Sequence, residues 1–92
     1  MGRAERIKQE KLAEKLKCIR EFLELTYEQL IKRLDCPKVP LYRANIYRYE
    51  SGEREPPLVV LLSYAKLIGV STDILIDDKL NLPEHLINKS RK

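Results

Sequence analysis

Proline and glycine divide this chain into pieces the length of short helices, and no stretch alternates as a strand would. From Arg3 to Leu23 neither residue occurs, and Ala, Glu, Lys and Leu, all strong helix formers, dominate. Leu12, Leu16, Ile19 and Leu23 recur at spacings of four, three and four, which marks one buried helical stripe. Ile7 falls off that rhythm, so residues 1–11 read as a charged N-terminal extension, helical by composition. A second start signal follows at Leu25–Leu30. Thr26 can cap while Gln29 reaches back, the reciprocal pair of a capping box, and Leu25 and Leu30 are spaced as a hydrophobic staple. This second helix is expected to run through Leu34.

Asp35–Pro40 contains two prolines and no periodicity, which makes it a loop. A third helix is expected over about 42–50, with Gly52 placed to take the left-handed conformation that ends helices. Pro56 and Pro57 suit the first turn of a fourth helix, where a missing N–H costs little, and Gly69 ends it. Its run LVVLLSYAKLI reads as core, with Tyr64 partly exposed at a dimer contact. Ser71 or Thr72 can cap a fifth helix through Ile76, with Asp73 at its positive end. Residues 77–92 read as a polar tail with scattered apolar residues. The expectation is one compact all-α domain over 12–76.

Several function classes are disfavoured at this point. No apolar run approaches the ~20 residues that cross a bilayer, and the N-terminus is too charged for a secretory signal. A cytoplasmic protein with no membrane partner is expected. Cys18 falls in a helical pattern and Cys36 in a loop, so the first reads as core filler and the second as a free thiol. Asp77 and Asp78 are too few for a hard-cation site and read as capping or solvated groups, and His85 stands alone. With no nucleophile–base pair, metal-ligand cluster or phosphate-cradling glycine loop, neither catalysis nor a cofactor or metal is expected. The net charge of +4 raises the odds of an anionic partner without deciding the matter.

The third helix is more informative. With Ile46 facing inward and 100° per residue, Tyr42, Tyr49 and Glu50 fall on the inward side. Ala44, Tyr47 and Arg48 point away, with Asn45 at one margin and Arg43 at the first turn. Ala44 would let a partner approach the backbone closely, while Arg43 and Arg48 carry planar forks that match the O6/N7 edge of guanine as well as phosphate. An inward Glu50 needs a partner, because an unpaired carboxylate away from water is expensive. Arg20, beside Ile19 on the first helix, is within reach as a bidentate one.

These segments, KLKCIREFLELTYEQLIKRL followed by RANIYRYESGEREPPLVVLLSYAKLIGVSTDILI, resemble the Cro/C1-type (XRE) helix-turn-helix DNA-binding family. The resemblance covers about 16–76. It implies a five-helix, lambda-repressor-like domain whose second and third helices read double-stranded DNA. By the same resemblance Arg43, Ala44 and Arg48 match base-contacting positions and Asn45 an adjacent one. Thr26 and Tyr27 match the phosphate-meeting start of the second helix, and Ser51, Gly52 and Arg54 the loop along the sugar-phosphate backbone. Tyr42 and Tyr47 are expected as further backbone contacts, and Arg20 and Glu50 match a buried ion pair.

The chain departs from the family pattern in two places. Asp35–Pro40 lengthens the turn between the second and third helices, and Tyr42, a poor cap, stands where a small polar residue is usual. Pro40 at a first helical position would start the third helix almost a turn early. The function expected is a sequence-specific regulator of transcription, and the resemblance implies a homodimer, whose two-fold symmetry would match palindromic half-sites. The alternative is an antitoxin or adaptor that binds a protein on the same scaffold.

Overall fold

The structure, a computed structural model, describes residues 11–86, and the expected extension before Lys11 and the last residues of the tail lie outside them. The described residues are all-α. In chain order they form α1 (Leu12–Leu23), α2 (Tyr27–Leu34), α3 (Arg43–Ser51), α4 (Leu58–Ile68) and α5 (Thr72–Ile76), with a last helical turn at 84–86. Among them no strand occurs.

Helix α1 buries Leu12, Leu16 and Ile19 as the spacing predicts, whereas Leu23 is only half-buried at its end. No glycine marks that end. Glu24 takes the left-handed conformation instead, at φ 57°. Its N–H donates to the Glu21 carbonyl at 3.1 Å and the Leu25 N–H to the Arg20 carbonyl at 3.2 Å, the paired bonds of a Schellman stop. Two residues later the expected capping box starts α2. Thr26 Oγ1 accepts the Gln29 N–H at 3.1 Å and Gln29 Oε1 accepts the Thr26 N–H at 2.9 Å. Leu30 is fully buried and Leu25 packs against the same core, as the staple requires.

The connection 35–42 is not a free loop. Val39 and Leu41 pack against the core, and Cys36 Sγ lies 2.9 Å from Ser63 Oγ on α4. Helix α3 begins after it, at Arg43, so neither a start near Pro40 nor a helical Tyr42 occurs. Tyr42 is the N-cap in extended backbone, at φ −124° and ψ 163°. Its phenol offers the helix no cap. Asn45 supplies one from inside the first turn, Oδ1 accepting the Tyr42 N–H at 2.8 Å.

Pro57 is likewise the N-cap of α4 and not part of its first turn. Pro57 takes extended backbone, at φ −61° and ψ 158°, so the helix begins after it at Leu58. Helix α4 then buries Val60, Leu61, Tyr64 and Ala65 but leaves Leu58, Val59 and Leu62 exposed, so only one face of the apolar run is core. Tyr64 is fully buried, contrary to the expected dimer contact. Its position four residues after Val60 turns it onto the core face. The Tyr64 hydroxyl has no hydrogen-bond partner among the described residues, and burial pushes its pKa well above the ordinary tyrosine range.

The segment after Ile76 does more than trail from the domain. Leu82 and Leu86 are buried in the common core, so it closes the bottom of the bundle. Asp78 Oδ1 accepts the Lys11 N–H at 3.1 Å and Asp77 Oδ1 the Lys79 N–H at 2.9 Å, which gives both carboxylates capping roles. Lys15 completes the seam. Buried on α1, its Nζ donates to the carbonyls of Ile74 at 2.7 Å and Asp77 at 3.0 Å, at the C-terminal end of α5. A cation there meets the negative end of a helix and two carbonyls that lack intrahelical partners.

Burial holds the Lys15 pKa below its ordinary value; the Lys11 charge adds to the lowering, while Asp78 and Asp77 pull it back up. Below the folded value both the folded and unfolded chains carry the proton. Between that value and the unfolded 10.5 the unfolded chain binds more, so stability from this group rises with pH. Lys15→Met is expected to cost about 1–3 kcal/mol in urea unfolding, because two carbonyls lose their donor. The gap between wild type and variant should widen as pH climbs toward 10.5. Tyr64→Phe removes a desolvated, unpaired hydroxyl and should raise unfolding stability by about 1 kcal/mol; a loss of that size would reveal a bond to the hydroxyl.

Candidate nucleic-acid interface

The candidate interface is the outward side of α3 with the segments at its two ends. Ile46 and Tyr49 are buried, which fixes the helix rotation, and Ala44, Tyr47 and Arg48 are exposed opposite them, with Arg43 exposed at the first turn. The wheel misplaces one residue. Tyr42 was expected inward and is 67% exposed, because a residue in extended backbone does not obey the 100° step. Asn45 is half-buried at the margin, and its Oδ1 is committed to the Tyr42 N–H while its NH₂ group remains a donor.

What fixes α3 against the body is the Arg20–Glu50 pair. Arg20 Nε donates to Glu50 Oε2 at 2.7 Å and Nη2 to Oε1 at 3.0 Å, a two-pronged bond between planar groups. The remaining Nη1 donates to the Leu25 carbonyl at 3.2 Å. The guanidinium also lies over the Tyr27 ring, 4.6 Å from its centre. Side-chain exposure is 18% for Arg20 and 5% for Glu50. The hydrogen bond to Glu50 raises the Arg20 pKa above its ordinary value in spite of burial. Arg20 therefore joins α1, the start of α2 and the end of α3.

At the other end of α3, Gly52 takes φ 83° and its N–H donates to the Arg48 carbonyl. The nearest atom to an added Cβ is Ala13 Cβ at 3.9 Å, so backbone conformation and not space demands glycine there. The N–H groups of Glu53 and Arg54 also point at the Arg48 carbonyl, at 3.0 and 3.3 Å, and Ser51 Oγ donates to it at 3.2 Å. Ser51 and Arg54 are exposed, with the Ser51 hydroxyl engaged locally. Thr26 is exposed at the start of α2, its Oγ1 spent on the capping box.

Tyr27 is half-buried at the start of α2. Arg43 approaches the same ring, its Cζ 5.7 Å from the centre, and Arg43 Nη1 lies 3.4 Å from Glu28 Oε2. Glu28 stands beside the candidate interface and is not among the residues expected there from the sequence. It stands inside TYEQL, where it reads as a helix-start residue, and only the packing of α2 against α3 brings it to Arg43.

Among the described residues no group of three His, Cys, Asp or Glu is placed to hold a metal ion. No described helix is long and apolar enough to cross a membrane. No family model, curated protein or solved structure matches the chain.

Removing either partner of a buried pair leaves the other charge unpaired, which typically costs ~3–5 kcal/mol. Arg20→Ala and Glu50→Ala are each expected to lose about that much in urea unfolding, and the double variant far less than the sum. Losses under about 1 kcal/mol that simply add would describe an exposed pair instead.

Proposed function

We propose that this chain is a sequence-specific double-stranded DNA-binding regulator of transcription, a homodimeric member of the Cro/C1-type helix-turn-helix family with a lambda-repressor-like fold. The observation that carries the reading is the exposed face of α3. Arg43, Ala44, Tyr47 and Arg48 project from a helix whose opposite side is locked by Ile46, Tyr49 and the Arg20–Glu50 fork. A single helix fits the major groove, and Ala44 keeps the centre of the face low enough for close approach. Arg48 presents its fork to base edges, and Arg43 does the same from the first turn. Thr26, Tyr47, Ser51, Gly52 and Arg54 lie at the flanks, where contacts to sugar and phosphate set position and carry no sequence information. In this reading Asn45 contributes through its NH₂ group alone.

A second reading, an antitoxin or adaptor that binds a protein, is favoured by the exposed Leu58, Val59 and Leu62 on α4. The guanidinium face of α3 has no use in an adaptor, and this places the DNA reading first.

Selection of bound sequences from a random duplex pool at two salt concentrations tests the proposal. An enriched two-fold motif and a steep fall in affinity with salt are expected, the latter from release of counterions at each phosphate contact. Arg48→Ala should cost about 1–3 kcal/mol and relax one base position per half-site. A variant that weakens every duplex equally would make Arg48 a phosphate anchor. Wild-type protein without any duplex preference would sink the reading.

A further inference from the structure

We propose that Glu28 is a specificity-determining residue, which holds the Arg43 guanidinium for base edges and makes its capture by phosphate unfavourable. The inference rests on the DNA-binding reading above and assigns a role to a carboxylate at the edge of the interface. An acidic side chain is out of place there, since a polyanion approaching α3 meets it directly. Its only ion-pair partner within 4 Å among the described residues is Arg43, at 3.4 Å, and the two side chains are 61% and 68% exposed. The pair is thus open to the solvent from which a duplex would arrive.

Two contacts restrain the Arg43 head. Glu28 Oε2 lies 3.4 Å from Nη1 as an ion pair, and the Tyr27 ring lies beside the Cζ at 5.7 Å. Tyr27 is itself pinned by Arg20, and Arg20 by Glu50, so the restraint is anchored in the core. An arginine has five N–H donors, and the carboxylate leaves the rest of the fork free.

Guanine and phosphate respond differently to this arrangement. The O6/N7 edge is uncharged and can take the fork while Nη1 stays beside the Glu28 carboxylate. A phosphate drawn to the same fork would bring its negative charge close to the carboxylate. Glu28 therefore penalises the sequence-blind contact more than the sequence-reading one. An exposed pair of this kind is worth only a few tenths to about 1 kcal/mol, too little to block binding and enough to shift a ratio severalfold.

The test compares wild type, Glu28→Gln, Arg43→Ala, the double variant and Glu14→Gln for binding to a pool-selected duplex and to a scrambled one. Glu14 is exposed on α1 and controls for the change in net charge. Glu28→Gln should raise affinity for the scrambled duplex about two- to fivefold, the range of an exposed ion pair, and raise it less for the selected one. The selected-to-scrambled ratio should then fall, while Glu14→Gln leaves the ratio unchanged. In the Arg43→Ala background the Glu28→Gln effect on the ratio should vanish. Equal shifts on both duplexes, or a ratio change that persists without Arg43, would overturn the assignment while leaving the DNA reading intact. Wild-type protein that binds no duplex, or binds all alike, would remove that reading and this assignment together.

Discussion

The Arg20–Glu50 fork is the constraint on which the rest of the molecule depends. Ile46 and Tyr49, buried on the inner side of α3, fix its rotation about the helix axis. The fork ties the end of α3 to α1, and the third arm of the same guanidinium, on the Leu25 carbonyl, ties it to the turn that leads into α2. Such a pair adds little net stability, because desolvating both charges offsets their attraction. Its value here is geometric. Planar groups joined at two points accept one orientation, so the exposed face of α3 is held at a defined angle to the start of α2.

Around the fork the chain places polar groups with unusual economy for a small domain. Asn45 caps the helix it belongs to, Asp78 caps α1 from the other end of the sequence, and Lys15 closes α5 from within α1. The first and last described segments are thereby stitched together by hydrogen bonds as well as by Leu82 and Leu86. Tyr64 stands apart, a buried hydroxyl with no such partner among the described residues.

What was legible in the sequence was local. The capping box of Thr26 and Gln29 depends on residues three apart, and the inward register of Ile46, Tyr49 and Glu50 depends on helical periodicity; both appear in the structure as read. The Arg20 partner followed because an inward carboxylate demands a cation and Arg20 adjoins the core stripe. The misreadings share two physical causes. Helical periodicity does not reach Tyr42, whose backbone is extended, and the preference of proline for a first turn does not separate N-cap from N1 at Pro57. Tertiary packing accounts for the rest: composition makes 77–92 look like a tail, and nothing in the neighbourhood of Lys15 or Glu28 announces carbonyls sixty residues away or an arginine on another helix.

The way α3 begins has a consequence for the segment before it. Asn45 satisfies the Tyr42 N–H from inside the helix, so this part of the starting device lies within residues 42–45. The stretch 35–41 is tied to the body by Val39 and Leu41 against the core and by Cys36 against Ser63, and not by the cap of α3. A helix that carries its own starting device can be offered on differently sized connectors, and variation there would alter what stands beside the exposed arginines without turning them.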